Sequence, residues 1–547
     1  MARVFPRVLV YVEDPGAANM ALGLASALAS FGGTAQILAG GTAADYLARR
    51  GEPCTPCPDA NAAFTQLDAG WDLLAVGTSE NPETFAFDLL QLADARGITT
   101  AGLVDGPANA DRRFRGRTDN PLAFAPGRLI VPVAATRDAF AALGFDPARI
   151  DVCGHPSLDG LAARRADLQA HGKAAIRAEL FPDIPPSAPL ILFLAELSDG
   201  LDPAQFRRQA DYTLNGRGGA DGRTEIVLEE VLDAAASVDP RPNVAVRLHP
   251  KTRAEDYAGY RGDIAAFNQG GNAHAALFAA DLVVGLTTAL LQEAAVLGVN
   301  TLSVIPRTAE VAWLNGAERI PVVWTREGLS AALSRAFDAP ERFMPEGVAE
   351  DGPAAVRTAR ALKAVARPVL ETARLRLEPF PAELLTDRYV GWLNDPAVVR
   401  FSEQRHKAHT IESCREFVAG FRGAANGLWA IRDKSQDLRH IGNITTEVDM
   451  AAKSGDIRIL IGEQSAWGTG MGLEAWTAVM AHLFDDLGLA QVTAGTMAEN
   501  RGMIRIMEKA GMTETHRASG PTPLDGRPAK LVYARCLKAD FEPPQEA

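Results

Sequence analysis

Residues 462–476 read GEQSAWGTGMGLEAW. Gly468, Gly470 and Gly472 alternate just after the apolar run GDIRILIGE (455–463) and just before a run with helical spacing. Without Cβ atoms, the amides of such a loop can curl toward one anion. A helix starting there adds the positive end of its dipole. The stretch therefore predicts a strand, a phosphate-gripping loop and a helix. Ordinary strand-to-helix turns share this spacing, so the surrounding elements must decide its meaning.

Outward from the loop, residues 373 onward keep one pattern. ARLRLEPF reads as a strand, LTDRYVGWLNDP as a helix stopped by Pro396, and TIESCREFVAGFR (410–422) as a helix capped by Thr410. LWAIRD (428–433), RHIGNITTEVD (439–449) and residues 455–463 predict an antiparallel meander. A helix over 472–487, a strand over 490–497, a helix over 500–511 and a strand over 530–537 complete the region. This order, together with WGTGMGLEAW and ENRGMIRIMEKAGM, resembles the GCN5-related N-acetyltransferase (GNAT) family over about 373–540. The family's loop is Gln/Arg-x-x-Gly-x-Gly/Ala, and Trp467-x-x-Gly470-x-Gly472 matches it except at the first position. A tryptophan there is similar to the enzymes that acetylate ribosomal-protein N-termini and amino sugars.

The resemblance implies acetyl-CoA as cofactor. Trp467, Gly468, Thr469, Gly470, Met471 and Gly472 would hold it, with its pantetheine along Ile459, Leu460 and Ile461. Asn500 matches the family's helix-start asparagine, which contacts the cofactor or its ordered water, and it is also a natural N-cap. An attacking amine must lose a proton, usually to a carboxylate or water. Glu447 is the first candidate base and Asp449 the second; each also reads as a solvated hairpin charge. Seven residues after the asparagine, where the family often has a tyrosine acid, this chain has Met507.

The first 365 residues follow another pattern. Strand runs at 7–12, 34–40, 71–78, 98–105, 127–133 and 149–154 alternate with helical stretches such as 16–32. After Pro-rich FPDIPPSAP (181–189) the pattern restarts, with strands at 190–195, 243–249, 281–287 and 300–306. The stretch 307–343 completes this second lobe, and 352–370 forms a last amphipathic helix. The expected fold is α/β: two Rossmann-like lobes (1–156 and 157–366) and a mixed α+β GNAT domain (373–540). Open α/β sheets bind ligands at the carboxyl ends of their strands, here in a cleft between the lobes.

Three stretches carry candidate chemistry there. In EDPGAANM (13–20), Gly16 and Ala17 let a helix start approach a ligand, and Glu13 and Asp14 can serve as acid or base. In VRLHPKT (246–252), Arg247, His249 and Lys251 offer donors to a diphosphate. In ADLVVGLTTALLQEAAVLGV (280–299), Gly285 leads to Thr287 and Thr288 at a helix start, and Glu293 could accept from a ribose diol. A polar turn, a basic surface loop and a well-capped core helix are the plain readings of the three. Together with VCGHPSLDGL (152–161) they resemble the GT-B superfamily of nucleotide-sugar enzymes over about 7–366. That group contains glycosyltransferases, UDP-GlcNAc 2-epimerases and the nucleotide-sugar hydrolase of pseudaminic acid synthesis. The hydrolase's Gly-x-Gly-His loop is absent here; Asp105 and Asn109 reach the same edge and are candidate substitutes.

The pairing of the two resemblances implies a bifunctional amino-sugar enzyme of pseudaminic- or legionaminic-type acid synthesis. It would acetylate a UDP-linked amino-sugar and release UDP, with His249 and the Thr287–Thr288 helix end stabilising the leaving UDP. The alternatives are a glycosyltransferase of surface glycan or flagellin, and a non-catalytic binding module.

A net charge of −13 argues against wrapping nucleic acid. Five cysteines form no disulfide framework, and CTPC (54–57) lacks a second ligand pair, so a packing role and no metal are expected. The absence of an 18-residue apolar run and of a signal-peptide pattern predicts a cytoplasmic protein. A homodimer is compatible with this reading.

Overall fold

The computed structural model describes residues 4–106, 109–197, 207–308, 320–338, 352–520, 524 and 528–542. Part of the expected 307–343 stretch thus lies outside the described residues. The chain resolves into two compact units, Met1–Cys153 with Ala355–Ala547, and Gly154–Ala354.

The first unit opens with seven parallel strands: β1 Arg7–Val12, β2 Thr34–Ala39, β3 Thr55–Pro56, β4 Leu73–Gly77, β5 Thr99–Leu103, β6 Arg128–Val131 and β7 Ile150–Val152. Their order is β3-β2-β1-β4-β5-β6-β7. Val8, Val10 and Val12 enter one core cluster and Leu9 and Tyr11 another. β1 is thus covered on both faces, which is why its sequence is continuously apolar. The chain leaves β1 for β2 on one side and returns to β4 on the other, so the strand order reverses at the carboxyl end of β1. The helical stretch expected at 16–32 breaks into Pro15–Ala21 and Leu24–Ser30 at Gly23, whose φ is +65°. Cys57 is buried in the core cluster of Leu9 and Tyr11, while Cys54 packs against the cluster of Val8 and Val10; both are free.

The same unit ends with eight strands: β14 Leu370–Glu371, β15 Leu375–Pro379, β16 Gly427–Asp433, β17 Arg439–Asp449, β18 Ser454–Ile461, β19 Gln491–Met497, β20 Thr513–Ser519 and β21 Lys530–Leu537. Their order is β14-β15-β16-β17-β18-β19-β21-β20. All neighbours are antiparallel except β18 and β19, which pair parallel over Ser454–Asp456 and Gln491–Thr493 alone. Beyond those three residues the two strands part. The expected meander is present as β16, β17 and β18. β20 was not foreseen: its seven residues are all exposed and show no alternation to read. The expected 472–487 helix is Met471–Ala481 followed by a π-helical turn, His482–Asp486. Pro396 does not merely stop a helix; it starts the short helix Pro396–Val399.

One core joins the two sheets of this unit. Ala355, Ala359 and Leu362 of helix Ala354–Val365 cluster with Val8 and Val10, and with Trp476 and Val479. The seam includes a close backbone approach: a Cβ on Gly423, at φ +63°, would collide with the Gly127 carbonyl. Arg128 crosses it to the Gly423 carbonyl at 2.9 Å.

The second unit holds six parallel strands: β8 Leu190–Leu194, β9 Asn243–Arg247, β10 Ala266–Asn268, β11 Leu282–Gly285, β12 Asn300–Val304 and β13 Val322–Val323. Their order is β10-β9-β8-β11-β12-β13. Ile191 and Phe193 face one cluster, and Leu190, Leu192 and Leu194 the other.

Candidate functional site

The glycine loop lies between β18 and helix Met471–Ala481. Gly468 and Gly470 sit at φ +76° and +87°, a region that side chains with a Cβ rarely enter. The amides of Gly468, Thr469, Gly470, Gly472 and Leu473 meet no acceptor among the described residues. Nothing stands within 4 Å of where a Gly468 Cβ would be. An open hollow of unsatisfied N–H groups at a helix start fits a diphosphate. Arg374 flanks it, donating to the Thr469 carbonyl at 3.0 Å and to Glu474 at 2.7 Å. Burial alone would raise the Glu474 pKa, but the Thr372 hydroxyl and the Arg374 amide and guanidinium outweigh it and hold the carboxyl below its usual range. Arg374 is thus a fixed cation beside the loop, and sequence reading missed it because it lies 96 residues from Gly470. Trp467 is 45% exposed, and its indole donates to the Ile461 carbonyl at 2.8 Å.

The parting of β18 and β19 supplies the rest of the groove. Gly462 donates to the Ile441 carbonyl on the β17 side. Alternation along a strand then turns the N–H and C=O of Ile459 and the N–H of Ile461 the other way, into the gap, while the Ile461 carbonyl is taken by the Trp467 indole. Residues 459–461 were expected to line the cofactor, and their open strand edge suits an extended amide-containing chain.

Cross-strand pairing puts Glu447 beside Asp456, Thr445 beside Arg458, and Asn443 beside Leu460, all on one face. Glu447 is more than half exposed and accepts from Arg458 at 2.6 Å. Asp449 is exposed and caps a turn, accepting from the Ala452 amide at 2.9 Å. Asp456, which was not foreseen, is the last β18 residue paired with β19, at the point where the strands part. It contacts Arg458 at 3.1 Å and accepts from the Thr493 hydroxyl at 3.1 Å. Burial raises its pKa, more than Arg458 and Thr493 lower it. A carboxylate whose pKa is raised by burial matches a proton acceptor better than a solvent-exposed one. The signal available was an acid in a strand that is apolar at Ile457, Ile459, Leu460 and Ile461.

Asn500 caps its helix, accepting from the Met503 amide at 3.2 Å while donating to Thr496 at 3.1 Å. Met507 is 2% exposed and packs in the core.

The front-half candidates are arranged differently from the expectation. Glu13 accepts from Ser79 at 2.5 Å, Thr84 at 2.6 Å and Tyr11 at 3.2 Å, so hydroxyls absorb its carboxylate. Asp14 accepts from the Ala17 amide at 2.8 Å, and burial, with Asp105 and Glu13 nearby, raises its pKa. Asp105 pairs with Arg113 at 2.8 Å. A Cβ on Gly16 would lie 2.3 Å from Asp105 Oδ2, so that helix start is crowded by carboxylates. Asn109 donates to Glu80 at 2.7 Å.

In the second unit the helix start at Ala289–Val296 already holds an anion. Glu196 accepts from the Thr287 amide at 2.7 Å, the Thr288 amide at 2.8 Å, the Thr287 hydroxyl at 3.1 Å and Arg223 at 3.2 Å. The amides expected to grip a phosphate hold this carboxylate instead, and Thr288 also caps Leu290. Glu293, expected to be open to a ribose, meets His274 at 2.7 Å. Gly285 ends β11 with Leu194 and Leu291 closing on it. Arg247 is held by Asn268 and the Gly270 carbonyl. His249 accepts from the Lys251 amide at 3.2 Å; burial first, then Lys251, lowers its pKa, so the ring is neutral near pH 7.

Free amides at a helix start beside an open strand edge suit a diphosphate carried on an extended chain in the C-terminal region. The acetyltransferase (GNAT) domain family model matches residues 374–513, so this part of the chain is a GNAT N-acetyltransferase domain and the protein is an enzyme. The cofactor of that family is acetyl-CoA, as the sequence led us to expect. Similar solved structures include a GNAT-family acetyltransferase from Bacillus anthracis, 20% identical, covering 31% of this chain and 99% of that one, TM-score 0.28. Spermidine N-acetyltransferase from Vibrio cholerae, in complex with CoA and spermine, is 16% identical and covers 31% of this chain and 98% of its own, TM-score 0.28. A ribosomal L7/L12 alpha-N-protein acetyltransferase in complex with coenzyme A is 13% identical, with coverage of 31% and 97% and TM-score 0.28. No curated protein matches the chain. Among the described residues, no helix is long and apolar enough to cross a membrane.

Proposed function

We propose that the protein acetylates the amine of a UDP-linked amino-sugar in the cytoplasm, as one step of nonulosonic acid synthesis. The observation that carries acetyl transfer is the set of unsatisfied amides of Gly468, Thr469, Gly470, Gly472 and Leu473 beside the strand edge at Ile459. Acetyl-CoA, when bound, supplies the activated acetyl group. The loop amides and Arg374 neutralise its diphosphate. The Ile459 N–H, turned into the gap, is placed to stabilise negative charge developing on the acyl oxygen. Asp456 takes the proton from the attacking amine, and Arg458 fixes its orientation. With Met507 buried, no side chain at that position protonates the leaving thiolate.

The amino-sugar acceptor rests on Trp467 in the loop and on the tandem parallel sheets of the front half. For UDP release by that half, Glu196 must first leave the amides of Thr287 and Thr288, because two anions cannot share them. This observation favours a second reading, in which the front half binds a partner or ligand without catalysis. Mass spectrometry of products from a UDP-4-amino-sugar, with and without acetyl-CoA, separates the readings. Acetylated UDP-sugar alone supports the second; free UDP as well supports the first. No acetylated sugar, with acetylation of spermidine instead, removes the amino-sugar acceptor.

A further inference from the structure

One face of the C-terminal sheet carries a cation and two rings that have no role so far. Val492, Ala494, Ala534 and Cys536 of β19 and β21 enter the core together with Ile457 of β18. Alternation therefore turns Thr493, Gly495, Tyr533 and Arg535 to the opposite face, the one that carries Asp456. Register fixes their order outward from Asp456. Thr493 stands beside Asp456 and donates to it at 3.1 Å, and Arg535 stands opposite Thr493. Two residues along, Gly495 faces Tyr533, and Tyr533 faces His516 of β20.

Arg535 is exposed, and its guanidinium has no hydrogen bond or ion pair among the described residues. Arg458 and Arg517 on neighbouring strands are each held, the first by Glu447 and Asp456, the second by Glu514. Arg535 is thus a fork of donors open to an incoming anion. The rings of His516 and Tyr533 stack, with centroids 4.6 Å apart and planes 9° from parallel. His516 is exposed and Tyr533 half-buried. Gly495 keeps side chains away from the pair, since a Cβ there would lie 3.0 Å from two carbons of the Tyr533 ring. An exposed stacked pair can take another flat ring against it.

We infer that this face binds the acceptor by its nucleotide, with the diphosphate at Arg535, the base on the His516–Tyr533 pair and the amine of the attached sugar at Asp456. The inference rests on the proposed acetylation of a nucleotide-linked amino-sugar. It gives recognition of the nucleotide to the acetyltransferase domain itself, with no call on the front half. The class follows from the chemistry. A polyamine would meet an open cation beside the base, and a free amino-sugar would bring no anion to Arg535. A nucleoside diphosphate supplies both the anion and the ring. Asp456 and Arg535 stand two strands apart, about 10 Å between backbones, which one sugar ring and the reach of an arginine side chain bridge.

The test uses the full-length protein saturated with coenzyme A, so that the glycine loop is filled, and titrates UDP by calorimetry at constant ionic strength. Uridine and pyrophosphate are the controls, each lacking one of the two recognised groups. UDP should bind saturably and at least tenfold more tightly than either. Arg535→Gln and His516→Ala change exposed side chains outside the core. Arg535→Gln should weaken UDP at least tenfold, His516→Ala at least fivefold, and both should leave coenzyme A binding unchanged. No saturation by 10 mM, equal affinities for UDP and pyrophosphate, or UDP binding that neither substitution alters would overturn the inference. The acetylation reading is judged separately. If a UDP-4-amino-sugar is acetylated with the same KM in wild type and both variants, that reading stands and this site falls. If UDP binding follows the two residues but no UDP-linked amine is acetylated, the nucleotide site stands and that reading falls.

Discussion

Replacing Glu196 by glutamine probes whether the second unit's helix start is built around its own anion. The side chain is 16% exposed and its two oxygens take four contacts, two of them the amides of Thr287 and Thr288. Glutamine keeps one acceptor oxygen and the shape, but loses the charge that faces the helix dipole and the buried Arg223. Breaking a buried ion pair costs about 3–5 kcal/mol, and the retained hydrogen bonds and partial exposure reduce this to roughly 2–3 kcal/mol. Such a loss lowers protection of helix Ala289–Val296 in hydrogen exchange by about 30- to 150-fold, since 1.36 kcal/mol is tenfold. The assay is exchange read by mass spectrometry on peptides spanning 281–297, compared with peptides from β16 to β18 as an internal control. A change under threefold would mean that the carboxylate does not hold the helix start. The same variant tests the nucleotide. If these amides are a phosphate site with Glu196 in the way, UDP should bind the variant at least tenfold more tightly than the wild type. Equal binding removes the helix start from any nucleotide site.

Asp456→Asn should lower kcat by about 10²–10³ while Glu447→Gln stays within a few fold, and the reverse order in steady-state assays would return the role to Glu447. Because burial raises the Asp456 pKa, the acidic limb of the kcat profile should lie above the ordinary carboxylate range, and it should vanish in Asp456→Asn. Gly470→Ala forces a Cβ onto a φ of +87°, a strain of about 1–2 kcal/mol, and should raise KM for acetyl-CoA about tenfold with unchanged circular dichroism. His440, buried against Phe380, Tyr389 and Trp392, is held by burial at a pKa of about 4. Its folded value lies below its unfolded one of about 6.5, so its contribution is complete above that pH and is lost as pH falls toward 4, about 2 kcal/mol by pH 5. Urea midpoints at pH 7 and pH 5 should differ less in His440→Gln than in the wild type.

The C-terminal domain was legible because its signals are local. Alternation in 439–449 and 455–463, the Thr410 cap and the glycines of 468–472 each fix a few neighbouring residues, and each is present where it was read. β1 was legible for the same reason, as a strand buried on two faces. β20 was not, because an exposed edge strand needs no apolar period. The 16–32 helix was read as one piece because nothing local announces that Gly23 turns left-handed.

The chain's order of residues determined where the strands and helices lie, and where a phosphate loop stands after a strand. It could not determine which anion occupies a helix start. At 468–470 and 472–473 the amides remain open, whereas at 287–288 they hold Glu196, ninety-one residues away. The two sites look alike in sequence because both are small residues before an apolar helix. They differ because the fold brings a carboxylate to one and not to the other. The same holds for Asp456, whose pKa rises because the surrounding sheet removes it from water, against the lowering by Arg458 and Thr493. Electrostatic environment is set by neighbours in space, and those neighbours come from distant parts of the chain.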